Sequence, residues 1–152
     1  MGQRLARPGA ARKETGRLTA VLPKPGNLLA WSALYGALGF AVGFAFGALR
    51  QLVLIPAFGD RMGHLAEFPM VTLAACALGV WIGGKSTAPA LALGVLGVAV
   101  LIAFESTMAL GFMRVSLAEY FAGYDLTRGS LFPVGLALMA LAPLLGRRLK
   151  RR

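Results

Sequence analysis

Residues 25–49 read PGNLLAWSALYGALGFAVGFAFGAL, a run of 25 residues without one charged side chain, bounded by Lys24 and Arg50. A hydrocarbon core about 30 Å thick needs roughly 20 helical residues to cross it, so this run is long enough for one span. Three more uncharged intervals follow: 17 residues between Glu67 and Lys85, 19 between Lys85 and Glu105, and 18 between Arg128 and Arg147. None shows the strand-like alternation of a β-barrel, and only helices or closed barrels satisfy their backbone groups in lipid. The expected fold is therefore all-α, a polytopic membrane protein with transmembrane helices over 28–55, 65–83, 89–112 and 130–146. Pro56 sits at the expected end of the first helix, Pro89 suits the first turn of the third, and Pro133 and Pro143 fall inside the fourth.

The remaining composition agrees. Of the 152 residues, 57% are hydrophobic and 14% charged, well below the quarter usual in soluble domains. Lys and Arg number 16 against 6 Asp and Glu, a formal +10. Such a balance first suggests nucleic acid. The charges, however, cluster at the two ends around a nearly uncharged middle, which argues against a nucleic-acid partner. Arg4, Arg7, Arg12, Lys13, Arg17 and Lys24 precede the first span, and Arg147, Arg148, Lys150, Arg151 and Arg152 close the chain. Lys85 lies in the short middle loop, whereas the other two loops are nearly neutral. By the positive-inside rule both termini face the cytoplasm, as an even number of spans requires. Residues 1–27 read as a basic, disordered cytoplasmic tail and 147–152 as a second basic tail, both drawn to anionic lipid head groups. Trp31 and Trp81 fall near the expected cytoplasmic boundaries. Cys76 is alone, so there is no disulfide framework, and the single His64, in the loop after the first span, makes no metal site. No cofactor or metal is expected.

Two features stand out within the spans. Gly36, Gly39, Gly43 and Gly47 lie on one face of the first helix, in two overlapping G-x-x-x-G units that allow a neighbouring backbone to approach closely. Arg50 extends that face by one turn. The second feature is charge: counted along the helices at about 1.5 Å per residue, Arg50, Glu67 and Glu105 all reach the outer edge of the hydrocarbon. A lone charge there is costly, so an ion pair is expected. The pairing expected is Arg50 with Glu105, leaving Glu67 nearer water. Ser106 and Thr107 beside Glu105 can bond back to their own helix carbonyls. In the following loop, Ser116 and Glu119 have capping-box spacing, which predicts a short helix over 117–123. Leu117, Tyr120, Phe121 and Tyr124 make one side of it apolar and aromatic, suited to the membrane interface or to a lid over the charged region.

The run Phe46-Gly-Ala-Leu-Arg50, then Leu54-Ile-Pro56, Glu67-Phe-Pro69, Glu105 and Ser116-Leu-Ala-Glu119-Tyr120, resembles a group of small four-helix bacterial inner-membrane proteins. The resemblance spans roughly residues 30–145. It implies four helices, a bacterial inner membrane and a linked set of positions, but no activity. Fluoride channels fit poorly: Gly47-Ala-Leu-Arg50 is similar to their Gly-Ala-x-x-Arg run, but the arginine spacing differs and the asparagine-bearing segments are absent.

No nucleophile–base motif, P-loop or dinucleotide fingerprint is present in the sequence, and the expectation is a protein that is not an enzyme. The first reading is an accessory or scaffold subunit held by glycine packing and an intramembrane Arg–Glu pair. The alternative is a small oligomeric transporter or channel with Glu105 as its coupling carboxylate, and the second alternative a lipid-processing enzyme. The partners expected are the bilayer and either a second copy or a larger membrane complex.

Overall fold

In a computed structural model, residues 23, 24 and 26–150 are described. The basic segment 1–22 and the last two arginines of the expected tails lie outside them. The described residues are mostly helical, with no strand. Four helices are long and apolar enough to cross a membrane: α1 (Leu28–Phe58), α2 (Asp60–Lys85), α3 (Ala90–Phe112) and α5 (Phe132–Lys150). Between the last two lie α4 (Leu117–Ala122) and a single 3₁₀ turn, Leu126–Arg128. The chain runs up, down, up and down, which brings Lys24, Lys85 and Arg147 to one end, here called the basic end. Helix α1 packs on α2 and α3, and α5 packs on the same two, so α1 faces α5 across the bundle.

Several boundaries differ from the sequence expectation. Helix α1 runs through Pro56 to Phe58, and α2 begins at Asp60 rather than at 65. A proline normally ends a helix because its ring clashes with the carbonyl four residues back and its nitrogen donates nothing. Here the turn before it is widened: residues Arg50–Leu54 form a π segment in which the Ile55 N–H reaches the Arg50 carbonyl, five residues back. Such a widened turn makes room for the ring. The loop expected at 56–64 thus shrinks to Gly59, whose φ of 81° and ψ of 165° suit only glycine. His64 is accordingly a helical residue, not a loop residue. Pro89 is the cap of α3 rather than part of its first turn. Helix α5 starts at Phe132, so Pro133 occupies its first turn, where a missing N–H costs nothing; Pro143 alone is interior. Helix α3 ends in a second π segment, Thr107–Phe112, with the Met113 N–H on the Met108 carbonyl. Ser116 and Glu119 close the capping box of α4 from both sides.

The core sits at the basic end. Trp31, Tyr35, Ile82, Leu93 and Met139 are almost fully buried there. Trp31 is a core residue rather than an interfacial one, its indole N–H donating to the Lys24 carbonyl at 3.0 Å; Trp81 is half exposed. The Tyr35 ring fits a slot bounded by Gly79 and Gly97, where any Cβ would collide with it. Its hydroxyl donates to the Met139 carbonyl at 2.8 Å, tying α1 to α5 across the bundle. Ser32 donates to the Leu93 carbonyl at 3.3 Å. Backbones touch at Gly83 with Pro143, Gly94 with Ala140, and Gly146 with Val80. The Arg147 guanidinium donates to the carbonyls of Ser86 and Ala88, fastening the end of α5 to the α2–α3 connection.

Candidate functional site

The expected glycine face divides at its midpoint. Gly36 meets the Gly97 carbonyl and Val100 of α3, and Gly39 meets Met139 and Leu101, so both are packing residues. Gly43 and Gly47 have nothing within 4 Å of where a Cβ would stand. No neighbouring helix among the described residues packs against them; they open onto a half-open cavity of about 1080 Å³ lined by all four long helices. The change follows from side-chain size. Helix α1 meets α3 first through Gly36 on Gly97, then through Phe40 stacked on Phe104 with ring centroids 5.6 Å apart. Two rings in place of two hydrogens hold the helices apart at the far end.

The cavity walls are apolar, built from residues such as Phe40, Phe68, Leu101 and Phe132, and its ionisable groups are Arg50, His64, Glu67 and Glu105. These fall into two groups. In the first, Arg50 Nη1 donates to Glu67 Oε2 at 2.7 Å, and Arg50 and Glu67 side chains are 25% and 11% exposed. Arg50 Nη1 also lies 3.4 Å from His64 Nδ1, and His64 Nε2 lies 3.6 Å from Asp60 Oδ1. The Arg50 Nε–H is buried with no acceptor among the described residues.

The expected Arg50–Glu105 pair is therefore corrected to Arg50–Glu67. Depth could not decide between the two acids, since all three groups reach the same level. The one-residue junction decides: Arg50 lies nine residues before Gly59 and Glu67 eight after it, so a tight antiparallel hairpin sets them side by side. Glu67 is the buried partner, not the residue nearer water.

Glu105 belongs to the second group, with the segment after α3. The Tyr124 hydroxyl lies 3.2 Å from Glu105 Oε2, the Tyr120 hydroxyl 2.8 Å from that of Tyr124, and Ser106 Oγ 2.7 Å from that of Tyr120. Ser106 also donates to the Ile102 carbonyl at 2.7 Å, and Thr107 to Ala103 at 2.7 Å. Burial lifts the Tyr124 phenol well above the ordinary tyrosine range, its hydrogen bond to Tyr120 adds to this, and the neighbouring Glu105 charge acts in the same direction. Tyr124 also meets Phe132 edge-on, with centroids 5.0 Å apart, and Ser130 Oγ donates to the Gly123 carbonyl at 2.5 Å. Segment 117–124 is thus anchored by its tyrosines to α3 and α5, while Leu117 and Phe121 stay exposed. Ser116 and Glu119 are outside this cluster; Ser116 donates to the exposed Glu119 and holds its carboxyl below the usual range.

Two sets of contacts are not legible in the sequence. The expected loop hides that of His64. The tyrosines read as an aromatic side, and the signal for their hydroxyls is a spacing of four on a segment following Glu105-Ser106.

Comparison with family models, with curated proteins and with solved structures finds no match for this chain.

Proposed function

We propose that the chain is a multi-pass protein of a bacterial inner membrane, with both termini cytoplasmic, that binds an amphiphilic molecule in the open half of its bundle. The outer faces of the helices support the membrane: Leu29, Leu38, Leu73, Val95, Phe104 and Leu141 are exposed, more apolar surface than water tolerates. The basic end carries Lys24, Lys85, Arg147, Arg148 and Lys150, whereas at the opposite end Arg61, Arg114 and Arg128 are balanced by Asp60, Glu119 and Asp125, which favours a cytoplasmic basic end.

The observation that carries the binding reading is the cavity. Ligand sites run to about 300–1,000 Å³, with apolar walls and a few placed polar groups. This one has that size and lining, and it lies where the glycine face stops packing. An acyl or similar apolar chain fits beside Gly43 and Gly47, and a polar head fits near the Arg50–Glu67 pair on the cavity wall. A rigid scaffold needs no such hollow.

Native mass spectrometry of the protein released from lipid nanodiscs tests this. The expected result is a retained molecule of lipid or fatty-acyl mass, lost when Gly43→Leu and Gly47→Leu fill the space while the fold persists. Retention of the same mass by the filled variant overturns it, and co-purification of an empty bundle with a larger membrane assembly returns the accessory-subunit reading. Proton-coupled transport is the second reading, favoured by Glu105 on the cavity wall; it requires flux in proteoliposomes that Glu105→Gln abolishes.

A further inference from the structure

The hydroxyl chain beside Glu105 can be counted proton by proton. It contains four short contacts: Glu105 to Tyr124, Tyr124 to Tyr120, Tyr120 to Ser106, and Ser106 to the Ile102 carbonyl. Each needs one hydrogen between its two oxygens. Ser106, Tyr120 and Tyr124 have one hydroxyl hydrogen each, and the Ile102 carbonyl has none. Three protons cannot fill four contacts. With Glu105 ionised, one oxygen pair separated by 2.7–2.8 Å, or the 3.2 Å contact to the carboxylate, has no hydrogen between its atoms. The fourth proton can come only from the carboxyl itself.

We infer that Glu105 is a proton-binding site whose carboxylic O–H heads a one-way chain, Glu105 to Tyr124 to Tyr120 to Ser106 to the Ile102 carbonyl, and that this bound proton clamps segment 117–124 at the mouth of the cavity. In that arrangement every hydroxyl donates once and every contact is filled. Loss of the proton breaks one link and loosens the segment, whose Ala122 and Gly123 border the cavity.

The surrounding charges are consistent with a neutral acid. From α1 the charged group on the shared wall is Arg50, already held by Glu67 of α2. His64 of α2 stands on the Arg50 side. From the 117–124 segment the titratable neighbours are Tyr120 and Tyr124, and α5 lines the wall with Phe132, Gly135, Leu136 and Met139, none of them ionisable. No cationic group lies within ion-pair distance of Glu105 among the described residues. The inference stands on the hydrogen-bond count and holds whether or not the cavity takes a ligand.

The test uses the full chain in nanodiscs, without ligand. Infrared spectra with isotope-labelled glutamate should show the carbonyl band of a protonated carboxyl at neutral pH, lost in Glu105→Gln and shifted in Tyr124→Phe. Amide exchange over 117–124, corrected for the intrinsic effect of pH, reads the clamp. In the wild type, protection should fall as pH rises through the titration of that band. In Glu105→Gln it should persist at every pH, because the amide N–H replaces the acid O–H as donor to Tyr124. In Tyr124→Phe it should be weak throughout. The absence of the protonated band from wild-type protein at neutral pH overturns the inference, and so does Glu105→Gln loosening the segment where the wild type is tight. The band in the labelled wild type decides the matter alone if Glu105→Gln does not fold.

Discussion

The two ends of the bundle use the same residue for opposite purposes. At the basic end, glycine brings backbones together: Gly83 on Pro143, Gly94 on Ala140 and Gly146 on Val80, with the Tyr35 ring held between Gly79 and Gly97. At the far end, Gly43 and Gly47 continue the stripe of Gly36 and Gly39, yet they line empty space. A glycine face permits close approach without compelling it. Whether a neighbour arrives depends on the next layer, and here Phe40 against Phe104 keeps α1 and α3 apart. Buried hydrogen bonds follow the same division. Backbone carbonyls take up Ser32 and Tyr35 at the packed end, whereas the open end holds an ion pair and a chain of hydroxyls.

The largest effect that would sharpen this contrast comes from bulk at the packed end. Gly94→Leu drives a side chain into the backbone at Ala140 and should cost about 3 kcal/mol or more, at the top of the range for overpacking, measured by unfolding in detergent. Glu67→Gln comes next. It leaves the Arg50 guanidinium without its acid, and for a partly exposed pair the expected loss is about 1–3 kcal/mol. A double-mutant cycle of Arg50→Gln with Glu67→Gln should show coupling, and one with Glu105→Gln should show little; the reverse would restore the pairing expected from the sequence. Tyr35→Phe removes the donor to the buried Met139 carbonyl and should cost about 1–3 kcal/mol. Gly43→Ala and Gly47→Ala should stay within about 0.5 kcal/mol of wild type or gain slightly from helix propensity. A loss comparable with that of Gly94→Leu at either position would show that the far end is packed after all.

The smallest effect concerns α4. Ser116 holds the Glu119 carboxyl below its ordinary range through a side-chain and a backbone hydrogen bond. A lowered folded value means that the carboxylate's contribution is fully present above the usual glutamate range and is lost as pH falls through the lowered value. Amide exchange in the first turn of α4 should therefore quicken only in acid, and Ser116→Ala, which keeps the backbone N–H but loses the hydroxyl, should weaken that dependence.

Much of the fold was legible because helix formation in long uncharged runs needs no knowledge of neighbours. The four intervals between charges each hold one long helix, and the Ser116–Glu119 capping box is a local arrangement that spacing alone reveals. The ends of the helices were harder to read. Pro56 looked like a stop, and only the widened turn at Arg50–Leu54 shows how the helix passes it. That misplaced boundary hid the single-residue junction, and with it the reason why Arg50 meets Glu67. The candidate site was legible as a set of polar residues near one level, but not as two separate groups. Depth along a helix is one coordinate, and pairing requires the other two.

Composition and spacing by themselves determined that this chain forms four long apolar helices with its positive charge gathered at one end, because segment length, hydrophobicity and charge are local properties. Only the tertiary structure decided which glycines pack and which face a cavity, which acid holds the arginine, and that two tyrosine hydroxyls link Glu105 to Ser106. Those outcomes depend on rotation about the helix axes and on the distance between helices, which are set by side chains meeting from remote parts of the chain.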